Sequence, residues 1–390
     1  MFHIGNLGDG TLIAEFGFYY LLSEVSNYLF CILIVCIFIK LNLIQRKYLF
    51  FWLLYFLSPF LFNFILFSPS YMPDQFHYHE IVSSIKGGDY DLPEFALSLE
   101  SLKRFRIGFS GYFLSFIPMF SVLSITSIAF INKLIVFFLY VFLSRRIEEN
   151  KLILFFMIPS LILYSSVGLR DPIAMVFGVI SLIYLIEKRV FLSLIFSFFV
   201  LLTKLQNAPA FFFVWVLFFV FKAHKSYMRL FLTVSGGILL FFIFYESISP
   251  TLNLYRLAWA VEDGLRISEA EGLRLESAQQ LFSTLFYSFP RFMLEPLPWN
   301  INSPIQVILF IETIILFILF FNLLYRDQFY KNKEGVIITL GLLSCMAVHA
   351  ITVFNLGTLV RYRFIGFFPF LIALYYLRDL IILRKRFGTI

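Results

Sequence analysis

The chain has 390 residues, of which 60% are hydrophobic and 55 are phenylalanine, and it carries a formal net charge of +7. A mean hydropathy of +0.87 exceeds what one water-soluble core can hide, so a soluble globular enzyme is excluded. The basic residues cluster in short segments between apolar runs, which is the signature of membrane topology and requires no nucleic-acid partner.

A spanning helix needs about 20 apolar residues at a rise of about 1.5 Å each. Runs such as YLFCILIVCIFIK and LIVFFLYVFL lack the alternation of a transmembrane β-strand, so the expected fold class is all-α, a polytopic integral membrane protein. About eleven spans are predicted from such runs, at 17–39, 48–68, 126–143, 152–167, 172–187, 190–204, 209–221, 230–249, 303–324, 335–353 and 361–377. Together they make one transmembrane domain over 1–390. The first twenty residues have neither a basic start nor a small-residue cleavage site, so no removable signal peptide is expected. Cys31, Cys36 and Cys345 fall in apolar runs and read as buried, inert thiols.

Lys and Arg prefer the cytoplasmic side. One alternating assignment puts the basic links at 40–47, 145–151, 188–189, 222–229, 326–333 and 378–386 on that side, with the N-terminus outside and the C-terminus inside. Two long segments, 69–110 and 250–302, then fall outside as the loops where a water-facing site can assemble. In the first, Pro73-Asp74 starts a helix that ends at Gly87-Gly88, and 107–121 reads as a juxtamembrane or re-entrant helix. In the second, 265–282 reads as an amphipathic helix on the membrane surface and PRFMLEPLPWN as an interfacial anchor. The spans from 152 to 221 are short and joined by SSVGLRD and KLQNAP. Polar breaks at depth are tolerated around a cavity, here one opening outward.

That outer boundary gathers Asp74, Tyr78, Asp89, Asp91, Arg106, Arg170, Asp171, Lys204, Gln206, Arg291, Arg361 and Arg363. Cations beside a few carboxylates suit a phosphate or diphosphate with a proton acceptor near it. Asp74 and Tyr78, one turn apart, project from one helix face; Asp74 is either a base, a metal ligand or a helix cap. Asp89-Tyr90-Asp91 is either a D-x-D pair for Mg²⁺ or Mn²⁺ or a turn. Arg170-Asp171-Pro172 opens a helix, with Asp171 as its cap and Arg170 aimed into the cavity. Lys204 is either a ligand group or a snorkelling lysine. Arg361 and Arg363 lie outside against the charge trend, where a lipid diphosphate would account for them. Lys133, inside a span, pairs with Glu312 on this reading.

Three stretches carry a family resemblance: the D-x-x-x-Y of Asp74 and Tyr78, SVGLRDPIA, and the late RYR at 361–363. The arrangement resembles the GT-C superfamily of polyprenyl-dependent glycosyltransferases and bacterial polysaccharide polymerases of the Wzy and EpsG-like kinds. One whole span precedes the Asp74 loop, and the Arg-x10-Gly pattern of some Wzy-type polymerases is absent. The resemblance implies an inner-membrane glycosyltransferase acting on polyprenyl-phosphate- or diphosphate-linked glycan at the periplasmic face. In its first form this is an O-antigen or capsule repeat-unit polymerase. Arg170 and its neighbours would neutralise the leaving group, and Asp74 or Asp171 would activate the acceptor hydroxyl. Tyr78, Arg106, Lys204, Gln206, Arg291, Arg361 and Arg363 would bind substrate. The alternatives are a monosaccharide transferase with a polyprenyl-phosphate-sugar donor and a transporter or flippase for such lipids. Membrane lipid and a chain-length regulator protein are the implied partners. No metal is expected, Asp89 and Asp91 being the only candidates for one.

Overall fold

The computed structural model describes residues 2–6, 12–16, 18–67, 72–90, 99–223, 228, 231–232, 235–237, 239, 243–262, 266, 269, 271–326, 332–353 and 356–387. The described chain is helical except for an N-terminal hairpin that the all-α expectation omits. Its strands β1 (Phe2–Asn6) and β2 (Leu12–Phe16) pair antiparallel, Phe2 opposite Phe16 and Asn6 opposite Leu12.

Among the described residues, five helices are long and apolar enough to cross a membrane: Tyr19–Lys40, Ile125–Ser144, Pro304–Tyr325, Lys333–Thr352 and Gly357–Leu383. The chain is therefore an α-helical, membrane-embedded protein. Three further apolar helices are shorter. The expected span 230–249 lies partly outside the described residues, as do parts of the loops 69–110 and 250–302.

The chain divides into two compact units, Met1–Phe177 with Leu202–Lys204, and Gly178–Leu201 with Leu205–Ile390. In the first unit α1 (Phe18–Lys40), α2 (Leu49–Phe60), α3 (Asp74–Gly87), α4 (Leu99–Phe116), α6 (Glu149–Phe156) and α7 (Pro159–Ser165) accompany α5 (Ile125–Ser144). Helix α5 packs against α1, α2, α3, α4, α6 and α7, so it is mostly apolar and buried on nearly all sides. At the α2 end of this core, Trp52 meets Phe137 and Tyr140 edge-on, each with ring centroids 4.9 Å apart. Helix α1 is two-faced. Glu24, Asn27, Cys31 and Val35 form its buried stripe, while Leu22, Leu29 and Leu33 are exposed to what would be lipid. Cys36, expected to be buried, lies on the exposed side.

The stretch 152–167, read as one span, is two helices. Pro159 has no N–H to continue α6 and instead starts α7. Eight and seven residues rise only about 12 and 10 Å, far less than a bilayer. The segment 107–121 begins too late, because α4 already starts at Leu99 and ends at Phe116. Helix α2 continues as a π-helical stretch, Leu61–Leu66, just after Pro59.

The second unit contains most of α8 (Asp171–Ile186), with α9 (Val190–Thr203), α10 (Ala208–Ala223), α11 (Tyr245–Glu262), α12 (Ala278–Leu294), α13 (Pro304–Arg326), α14 (Lys333–Thr352) and α15 (Leu356–Phe387). Here α14 packs against α10, α11, α12 and α15. Small residues permit this closeness: a Cβ on Gly341 would run into Val214 and Phe370, and one on Gly366 into Met346 and Cys345. The amphipathic helix expected over 265–282 lies partly outside the described residues; the described helix there runs Ala278–Leu294, opened by the Ser277 side chain, which accepts from Gln280 N. Phe282, Phe286 and Tyr287 stand exposed on it, followed by Trp299. These side chains suit an interfacial position.

Candidate functional site

The link SSVGLRD joins α7 to α8 in the first unit. Non-helical backbone at membrane depth needs partners for its amides and carbonyls, and four helices supply them. Tyr55 Oη and Ser165 Oγ are 2.9 Å apart, and Ser58 Oγ and Ser166 Oγ 2.8 Å. Asn63 Nδ2 donates to the Ser166 carbonyl at 2.7 Å. Asn132 Nδ2 donates to the carbonyls of Val167 at 2.8 Å and Leu169 at 2.7 Å. Gly168 N donates to Gln75 Oε1 at 3.5 Å, which ties the link to the first turn of α3. A glycine fits here because a Cβ would meet Ile128 at 3.2 Å and Gln75 at 3.3 Å.

Lys133 belongs to the same clamp. Its ammonium donates to the Ile162 carbonyl at 3.1 Å and lies 3.7 Å above the Tyr55 ring centroid. The expected partner was the carboxylate of Glu312; a carbonyl and a π face take that role.

The clamp delivers Arg170 and Asp171 to the start of α8. The Arg170 carbonyl accepts from the N–H groups of Ile173 and Ala174 at 3.1 and 3.2 Å, so Arg170 rather than Asp171 occupies the capping position. Asp171, fully buried, turns its carboxylate to Lys204 Nζ at 2.5 Å. Lys204 is 1% exposed and does not snorkel. A buried pair of this kind compensates two charges that neither side chain tolerates alone. Arg170 is half-buried, and its Nη1 is buried with no hydrogen-bond partner among the described residues. A fixed cation with an unused N–H, at the N-terminus of a 16-residue helix, is the chemistry of an oxyanion site.

Around it, Asp74 is exposed at the first position of α3, where Pro73 is the cap. An acid there is favoured by the helix dipole. Tyr78 is buried on the same helix and Arg106 is buried on α4, which packs against α3. Asp89 follows a left-handed Gly88, φ 83°, with Asp89 N donating to the Ser84 carbonyl at 2.9 Å. That is a helix-ending turn. Asp91 lies outside the described residues. Among the described residues, no three His, Cys, Asp or Glu side chains come together.

The remaining candidates belong to the second unit. Arg363 is buried; it donates to the carbonyls of Met293 at 3.0 Å and Glu295 at 2.5 Å and to Thr313 Oγ1 at 2.7 Å. Arg291 pairs with Glu295 at 2.6 Å. Arg361 is half-buried. Gln206 Oε1 is buried without a hydrogen-bond partner among the described residues. Arg256 holds the Leu273 carbonyl and that of Ile351, and burial pulls its guanidinium below the usual arginine range. Thr313 also lines an apolar cavity of about 420 Å³ with Leu294, Leu297, Phe310, Phe317 and Phe321, a shape suited to a hydrocarbon chain.

Sequence reading missed Glu24, Asn132 and His349, all buried polar groups in apolar helices. His349 Nε2 is 2.7 Å from Asn207 Oδ1, and its ring lies 4.8 Å from that of Tyr362. The available signal was simple: an ionisable or amide side chain inside a span always needs a partner. Comparison with family models, with curated proteins and with solved structures finds no match.

Proposed function

We propose that this protein is a membrane glycosyltransferase that takes a glycan from a polyprenyl-phosphate or diphosphate carrier, acting as a repeat-unit polymerase for O-antigen or capsular polysaccharide. The observation that carries this reading is Arg170: a clamped, half-buried guanidinium with a buried unused N–H at a helix start. In the proposed step the acceptor hydroxyl oxygen bonds to the donor's anomeric carbon as the bond to the lipid-phosphate oxygen breaks. The electron pair leaves on the phosphate, which Arg170 and the α8 N-terminus stabilise, and the hydroxyl proton passes to Asp74. Asp171 acts indirectly, as the buried partner of Lys204 at the start of α8. Tyr78 and Arg106 support the α3–α4 side. In the second unit Gln206, Arg291 and Arg361 remain substrate-binding candidates, while Arg363 is occupied by the Met293 and Glu295 carbonyls, and the apolar cavity favours a lipid-borne substrate. The proposal includes eleven crossings of the inner membrane, a periplasmic N-terminus and a cytoplasmic C-terminus, and membrane lipid and a chain-length regulator as partners.

The test is the surface glycan of cells carrying Arg170→Ala or Asp74→Ala, separated by chain length. A lost ladder with a single lipid-linked repeat unit retained is the expected result. An intact ladder whose units lack one sugar would indicate a monosaccharide transferase. Loss of units from the outer face altogether would indicate a transporter, and wild-type ladders from both variants would overturn the site.

A further inference from the structure

Helix α1 carries a carboxylate that the proposed reaction does not use. Glu24 is fully buried on the protein-facing stripe of α1. Its Oε1 accepts from Ser124 Oγ at 2.7 Å and from Ser127 Oγ, and its Oε2 accepts from Asn27 Nδ2 at 3.1 Å. The hydroxyls are directed there by the backbone: Ser124 Oγ accepts from Thr126 N at 3.1 Å, and Ser127 Oγ from the amides of Leu123 and Ser124. Asn27 Oδ1 accepts from Ser121 N at 3.1 Å, and Ser23 Oγ and Ser121 Oγ touch. In the same first turn of α5, Thr126 Oγ1 is buried with no hydrogen-bond partner among the described residues.

No Lys, Arg or His among the described residues pairs with this carboxylate. Of the titratable groups around it, Tyr28 and Cys31 on α1, Tyr55 on α2 and Lys133 on α5 do not hydrogen-bond it, the N-terminal ammonium acts on it only through space, and Lys133 is held by Ile162 and Tyr55. Hydrogen bonds from neutral donors only partly offset the cost of burying an ionised carboxylate that has no paired cation beside it. One negative charge faced by two serine hydroxyls and one carboxamide matches one compensating positive charge; a divalent ion normally takes several carboxylates.

The geometry points to Glu24, with Ser124, Ser127 and Asn27, as a binding site for a single exchangeable positive charge, a proton or Na⁺, where α1 meets the start of α5. The consequence reaches the candidate site. Asn132 and Lys133, which hold the Arg170 link, lie about two turns further along the same α5, so occupancy at Glu24 sets the seat of the helix that positions Arg170.

The experiment uses the full-length protein in detergent, with thermal midpoints read at constant ionic strength. Replacing K⁺ by Na⁺ raises the midpoint of wild type and leaves Glu24→Gln unmoved if the charge is Na⁺. A midpoint that moves with pH in Na⁺-free buffer, in wild type and not in Glu24→Gln, identifies the proton instead. Should Glu24→Gln fail to fold, an apolar carbodiimide supplies the second measurement on wild type: it forms an adduct at Glu24 only when that carboxyl takes a proton, and Na⁺ slows it if the sites coincide. A wild type indifferent to Na⁺ and to pH, with no adduct, would mean that Glu24 is a fixed structural acceptor and would overturn the inference. Neither result depends on glycan transfer.

Discussion

Lys204 and Asp171 illustrate how strongly a single residue matters at depth. Removing one partner leaves the other charge buried and uncompensated, which costs about 3–5 kcal/mol. Asp171→Asn and Lys204→Met are therefore expected to unfold well below wild type in a detergent thermal melt, while the double variant Asp171→Leu with Lys204→Met recovers most of the loss. Equal stability of all four proteins would mean that the 2.5 Å contact carries no charge. Gly168 is the second such position. Its Cβ contacts, at 3.2 Å to Ile128 and 3.3 Å to Gln75, are tighter than ordinary packing, so Gly168→Ala pushes the link off α3 at a cost of about 1–3 kcal/mol. The expected readout is a shortened glycan ladder from protein that still reaches the membrane.

Among the elements, α5 does most to order the first unit, because it is surrounded by neighbours and carries Asn132 on the face toward the link. Asn132→Ala strips two carbonyls of their donor, each loss costing about 1–3 kcal/mol when the group stays buried. Hydrogen exchange measured over 165–171 should rise sharply in that variant, and unchanged protection there would show that the clamp does not depend on Asn132. In the second unit the close approach of α14 to α10 and α15 rests on missing side chains. Gly341→Ala collides with Val214 and Phe370, and an overpacking penalty of about 1–3 kcal/mol should appear as a lower melting midpoint without any change in the first unit's link. Arg363 acts at this scale too, tying α15 to the turn after α12 through two carbonyls.

For the whole molecule the number of crossings follows from helix length. Helices α8 and α9 have 16 and 14 residues, about 24 and 21 Å at the helical rise, against a hydrocarbon core of about 30 Å. Such helices can still cross where the bilayer thins or where neighbouring protein covers their ends. Reporter fusions at Arg46, Arg146, Lys188 and Arg378 should all read cytoplasmic, and fusions at Asp89 and Glu276 periplasmic. A periplasmic signal at Lys188 alone would mean that α8 and α9 form a re-entrant pair.

The sequence by itself determined the membrane class, because hydropathy and the length of apolar runs depend only on composition along the chain. It also located the helix starts at Asp74 and Asp171, since Pro, Asp and Gly act on their own backbone, and it singled out Arg170 as a charge in an apolar neighbourhood. Partners were another matter. That Asp171 binds Lys204, that Lys133 rests on Tyr55 and the Ile162 carbonyl, and that Arg363 is consumed by backbone carbonyls are facts about residues far apart in the chain. The break inside 152–167 was legible at Pro159, yet hydropathy averaged over a window conceals it. Glu24 was visible as an acid in an apolar helix, but only the packing of α1 on α5 decided that two serines and an amide hydrogen-bond it. Local chemistry fixes what a residue needs, and the tertiary structure decides which distant group supplies it, because burial turns every unmet polar need into a penalty that the fold must remove.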